Sequence, residues 1–281
     1  MSHERAQRAD DQLEEYRPER VHPIEQLRHV ARADGAAAVT VAVEAAHALC
    51  TLDATTLVVS CRQIVRRHPA NGPLWWVCSH LLASTGQRDR GRDLARALDA
   101  DATTSVLRRA LSGHERVLAT GWSSTLIEAV RGDVAVVVAG SGRDTSSMVR
   151  ALRRRDVDVE QIAMEEAAVV MADGVDAVIV DAHLVTVSRV TAPVGSTVLA
   201  SVAAVVDVPL WLVASRGTRL PESYRATIDA MLAEASTRSL FDSFGVATAA
   251  LIVGPDGASA SSPTALAPEC PAMGELVVSP R

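Results

Sequence analysis

Four pieces of sequence lie in succession: Asp176-Ala-Val-Ile-Val-Asp181, a turn closing on Pro193-Val-Gly-Ser196, the run Thr197-Val-Leu-Ala-Ser-Val-Ala-Ala-Val-Val206, and Val208-Pro-Leu-Trp-Leu-Val-Ala214. They read as strand, long turn, crossover helix and strand. Neither strand run alternates apolar with polar residues, so both faces are expected to be covered, as in a parallel sheet held between helices.

Outward from this unit the same rhythm holds over the second half of the chain. Short apolar runs predict strands at 116–120, 134–139, 158–163, 176–181, 208–214 and 247–253, with helices near 123–131, 144–154, 165–172, 197–206 and 222–236. Before Gly113 the pattern is helical: Ala36 to Leu49, Leu57 to Arg67, Leu74 to Leu82, Arg92 to Leu98 and Thr104 to Leu111, with Gly86 to Gly91 read as a polar loop. The expected class is α/β. A charged leader (1–22) precedes a helical N-terminal domain (23–112), then a Rossmann-like parallel sheet domain (113–254) and a flexible Ser/Pro/Ala-rich tail (255–281). Such a tail predicts that truncation after Asp256 leaves the melting temperature within a degree or two.

Composition narrows the chemistry. The chain has 281 residues, 48% of them apolar and only 3% aromatic, so Ala, Val and Leu must fill the core. All 28 basic residues are arginine, which excludes Schiff-base lysine chemistry and the lysine of a P-loop. A net charge of −6 disfavours a nucleic-acid partner, and runs such as Arg66-Arg67, Arg108-Arg109 and Arg153-Arg-Arg155 read as solvated helix faces. Cys50, Cys61, Cys78 and Cys270 form no CxxC pair, so reduced thiols in a cytoplasmic protein are expected. No metal cluster, cofactor motif, signal peptide or membrane span is expected. Trp75 and Trp76 read as packing residues, and the adjacent Glu165 and Glu166 cannot share one helix face.

Several segments carry a family resemblance in their order and spacing. Ala33 to Leu49 resembles a Gly-Ala-containing first helix; His68-Pro-Ala-Asn-Gly-Pro-Leu74 resembles an Arg-Pro-Thr-x-x-x-Leu segment. Val117-Leu-Ala-Thr-Gly-Trp-Ser-Ser124 is similar to Ile-Leu-Thr-His-x-x-Ser, and Val136-Val-Val138 stands where a strand ending in Thr-Glu-x-Arg-Pro is found. Phe241-Asp242 through Leu251-Ile-Val253 resembles a closing Phe-Asp and Leu-Ile-Thr-Glu run. With Gly195-Ser196 and the helix after it, these resemble the regulatory subunits of translation initiation factor 2B and the isomerases of methylthioribose 1-phosphate and ribose 1,5-bisphosphate. The resemblance implies a homodimer associating through the sheet domain.

The same comparison implies that the isomerase site is replaced. The family's catalytic cysteine corresponds to Gly121 and its aspartate to His183, the one such position still able to titrate near neutral pH. The phosphate-site Arg-Gly-Ala becomes Asp34-Gly35-Ala36, the Arg before Pro-Thr becomes His68 beside Arg67, and an Asn-Lys pair becomes Ala192-Pro193. Two groups of residues remain as candidates for ligand binding. One is the turn Gly140-Ser141-Gly142-Arg143, opening a helix, where backbone amides and a guanidinium suit a small anionic metabolite; an ordinary capped turn is the alternative. The other is Thr120, Gly121, Ser123 and Ser124 with Gly195 and Ser196, which serve equally as helix caps. The functional expectation is a divergent member that binds a small anion or acts as an assembly subunit. An aldose-ketose isomerase with rearranged residues, His183 its base, is the alternative.

Overall fold

The computed structural model describes residues 38–235 and 238–277. The expected leader (1–22) and Asp34-Gly35-Ala36 lie outside the described residues. Among the described residues five helices come first: α1 (Ala38–Leu49), α2 (Ala54–Arg67), α3 (Gly72–Leu82), α4 (Gln87–Asp99) and α5 (Thr103–Ala110). The α/β half follows as β1 (Arg116–Thr120), α6 (Ser124–Ala129), β2 (Ala135–Ala139), α7 (Arg143–Arg153), β3 (Val159–Ile162), α8 (Ala167–Ala172), β4 (Ala177–Asp181), β5 (Leu184–Val185), β6 (Arg189–Pro193), α9 (Ser196–Val206), β7 (Leu210–Val213), α10 (Arg225–Glu234), β8 (Phe241–Gly245), β9 (Leu251–Gly254) and β10 (Gly257–Ala260).

Seven strands form one sheet in the order β10-β9-β7-β4-β1-β2-β3, parallel throughout except for the β9–β10 hairpin. The unalternating strand sequences now have their cause. Leu118, Val137, Val178 and Val180 point into a core made with α8 and α9, while their neighbours Val117, Val136, Val138 and Ile179 point into another made with α5, α6 and α7. Chain order reverses between β1 and β4: β1 to β3 run outward on one side and β4 returns on the other. That is the switch point at which open α/β sheets form their crevice.

Three expectations need correction. Gly86 to Gly91 is not a loop: α4 begins at Gln87, and Gly91 sits inside it because a side chain there would strike Cys50 of the α1 end. The stretch 184–193 is not all turn. It supplies β5 and β6, which join β8 in a second, antiparallel sheet of three strands with Arg189 opposite Gly245 and Pro193 opposite Phe241.

The tail expected to be flexible is packed from 255 to 277. After the β10 hairpin, Leu266 is buried against the sheet core, and Cys270 and Leu276 are buried against the helices. The Glu269 carbonyl accepts from Trp76 Nε1 at 3.0 Å, and its carboxylate pairs with Arg216 and Arg219, each at 3.0 Å. Tyr224, itself buried, donates to Pro271 O and accepts from Met273 N. Composition pointed to a tail with little to dock; a few well-spaced anchors and fixed hydrogen bonds hold it instead.

Candidate functional site

The crevice at the switch point is built from the carboxyl ends of β1 and β4. Ser123 leaves β1 in extended conformation and caps α6, its Oγ accepting from Leu126 N at 3.0 Å. The same hydroxyl donates to Asp181 Oδ2 at 2.6 Å, bridging β1 and β4. Burial pushes the Asp181 carboxyl up to about 6, against the hydrogen bonds from Ser123 and Thr125, with the charge of Asp101 adding to the rise. Sequence reading passed over Asp181 because it closes an apolar run and reads as the strand's polar end. Its position two residues before His183 was the available signal.

His183 lies beyond Asp181 and carries no hydrogen-bonded carboxylate among the described residues. Its ring meets Phe241 edge-on at 5.0 Å. Burial lowers its pKa to about 4, only partly offset by the charge of Asp144. The imidazole is therefore neutral at physiological pH. The α3 start closes over it, with Gly72 N donating to the His183 carbonyl at 3.1 Å.

Gly121 has φ +71°, and a Cβ built on it would lie 2.6 Å from Pro193 Cβ. Two positions where the resemblance implied a cysteine and a lysine are thus packed against each other. Thr120 is buried and its hydroxyl donates to Ala139 O at 2.9 Å, tying β1 to β2. Beside it Gly140 (φ +117°) and Gly195 (φ +95°) leave room for Met164, whose Cε would lie 2.5 Å from a Cβ on Gly195. Ser196 is fully buried and its Oγ has no partner among the described residues. The α9 start that it opens already holds an anion: Asp242 Oδ2 accepts from Gly195 N at 2.8 Å and Thr197 N at 3.0 Å. A second anion at this helix end would meet that carboxylate.

The other candidate group faces solvent. Ser141, Gly142 and Arg143 are exposed, the α7 start has no side-chain cap, and Arg143 has no acidic partner among the described residues. Ser124 is exposed on the first turn of α6. The structure therefore brings Thr120, Gly140 and Gly195 together around Met164, sets Gly121 on Pro193, and links Ser123 to Asp181. Arg143 and Ser141 stand apart.

The raised carboxyl gives a pH test. Protonated Asp181 favours the native state: that gain is full below the ~4 of a free carboxyl and gone above about pH 6, the direction of a raised pKa. In Asp181→Asn the gap in unfolding free energy from the parent protein should therefore shift by about 3 kcal/mol between pH 8 and pH 4, the variant being relatively more stable at the higher pH. Urea melts at both values measure it; an unchanged gap would mean Asp181 is solvated and unperturbed.

A helical N-terminal region, a seven-stranded sheet with a β1/β4 switch-point crevice and a small antiparallel sheet beside it define a known class of fold. Solved structures share it. Translation initiation factor eIF-2B from Pyrococcus horikoshii is 17% identical with a TM-score of 0.70, the match covering 89% of this chain and 99% of that one. A chain of the tetrameric eIF2B-beta2-delta2 complex from C. thermophilum is 13% identical (TM-score 0.67; 85% and 90% covered). The 5-methylthioribose 1-phosphate isomerase of P. horikoshii is 14% identical (TM-score 0.60; 87% and 86% covered). No family model matches the sequence, and no curated protein does. The fold that the sequence resemblance implied is thus the fold of the chain.

Proposed function

We propose that this chain is a divergent, initiation factor 2B-like assembly subunit, homodimeric and cytoplasmic, in which the isomerase site has become packing. The contact of Gly121 with Pro193 carries this reading. A proton cannot be relayed from a residue without a side chain, and loss of one positioned acid or base typically costs 10² to 10⁴-fold. His183 is neutral and, among the described residues, has no acid within hydrogen-bond reach, so it supports a lone base at most. The anion place at the α9 start is taken by Asp242. Four buried, unpaired cysteines accord with a reducing compartment. No helix among the described residues is long and apolar enough to cross a membrane.

Assembly is supported by an apolar face that nothing among the described residues covers. Val169 on α8 and Val198 and Val205 on α9 are exposed, Val205 at 84%. Exposed valines on two helices that pack together suit an association surface, and a structure similar to this chain belongs to a tetrameric complex. Light scattering should give a dimer mass, and Val198→Asp with Val205→Asp should give a folded monomer. Incubation with methylthioribose 1-phosphate or ribose 1,5-bisphosphate should yield no ketose by NMR. A monomeric parent protein removes the assembly reading; turnover that His183→Ala abolishes restores the isomerase.

A second reading, capture of a small anion, rests on exposed Arg143 beside the uncapped start of α7. It goes with a weakened affinity in Arg143→Ala, by about 1.5 to 3 kcal/mol for a charge-assisted hydrogen bond.

A further inference from the structure

A cavity of about 320 Å³ opens between α10 and the β6–β8 ribbon, beginning at Phe241 of the Pro193–Phe241 pair. At its floor is Arg225, only 6% exposed. The guanidinium grips Asp229 through Nε and Nη2 and donates to Thr191 Oγ1 at 3.1 Å and Ser243 Oγ at 3.2 Å. Ser243 Oγ accepts a further N–H from Arg189 at 3.2 Å. Both hydroxyl oxygens thus act as acceptors towards arginine. Each still carries a proton, and neither proton has an acceptor among the described residues.

The cavity is balanced in charge. Arg225 is offset by Asp229, and Asp242 is held by the two amides of the α9 start, leaving its Oδ1 without a partner among the described residues. A phosphate or carboxylate entering here would face two carboxylates, with Arg225 already paired to Asp229 and Arg189, behind Ser243, outside the lining. A cation would have to displace Arg225 from Asp229. The Ser243 hydroxyl donor, two carboxylate acceptors and the Phe241 ring as an apolar wall instead match a ligand that offers both donors and acceptors on a hydrocarbon frame.

We propose that this cavity is a binding site for a small uncharged ligand rich in hydroxyl groups, a polyol or monosaccharide, bound through Ser243, Asp229 and Asp242. The volume is at the lower end of the ~300 to 1,000 Å³ usual for small-molecule sites, which limits the ligand to roughly one sugar ring. The lining contains none of the valines of α8 and α9, so sugar binding and assembly are read by different variants.

Saturation-transfer NMR on the full chain, with a panel of neutral pentoses, hexoses and inositols as probes, tests it. Transfer to at least one probe is expected. Ser243→Ala and, independently, Ala233→Leu, which fills the cavity mouth without touching a polar group, should each weaken it at least tenfold. Arg153→Ala, on the exposed face of α7, should leave it unchanged. Thermal melts confirm that each variant is folded. Absence of transfer from every probe, or transfer that persists in both Ser243→Ala and Ala233→Leu, overturns the proposal.

Discussion

Removing everything after Asp256 should abolish cooperative folding. The truncation strips Leu266 and Leu276 from two cores; each buried leucine is worth about 1.5 to 3 kcal/mol. It also takes the Glu269 carbonyl from Trp76 Nε1 and the Glu269, Pro271 and Met273 partners from Arg219 and Tyr224, which keep Asp256 and Ser79. A lost hydrogen bond costs about 0.5 to 1.5 kcal/mol, and about 1 to 3 where its partner stays buried and unpaired. The sum reaches the 5 to 15 kcal/mol that typically separates native from unfolded chains. The expected result is insoluble protein, or soluble protein with no thermal transition. Leu276→Ala alone, a buried leucine truncation, should cost about 2 to 5 kcal/mol and remain measurable. A truncated protein that melts within two degrees of the parent would show that the packed tail contributes nothing.

Gly121→Cys should destabilise strongly even though it restores the residue type that the family resemblance places there. The φ of +71° costs a side chain about 1 to 2 kcal/mol, and forcing a Cβ into Pro193 costs about 1 to 3 more. Together these predict a loss of roughly 2 to 5 kcal/mol, or about 4 to 20 °C in melting temperature for a chain of this size. The two terms can be separated. Adding Pro193→Gly should recover the collision part while leaving the backbone part, so the double-mutant cycle should give a coupling of about 1 to 3 kcal/mol. A single variant as stable as the parent would show that Gly121 and Pro193 are loosely packed, and would reopen the crevice to chemistry.

The parallel strands were legible because each of their residues serves one core or the other, which forces continuous apolar runs. The small sheet was not. β5 is two residues long, and β8 (Phe241–Gly245) is half polar and pairs with β6 far away in sequence. Gly91 looked like a loop signal because the contact that requires it comes from Cys50, on a helix the local pattern does not include. The positions of Thr120, Ser123, Gly140 and Gly195 were legible as places where strands give way to helices. Met164, Asp242 and Arg225 were missed, since each acts by reaching into space shaped by elements distant in the chain. Asp181 was visible, but its meaning depended on Ser123 lying within 2.6 Å.

The packed tail also sets an order of events on the ribosome. The Glu269 carbonyl that His80 meets lies 189 residues later in the chain. At synthesis rates of about 5 to 20 residues per second, the surface around Trp76 and His80 waits roughly 10 to 40 s before its cover is made. During that interval the emerging helices present unsatisfied indole and imidazole groups beside apolar surface, so a nascent chain halted before residue 269 should be a client for chaperones and a target for proteases.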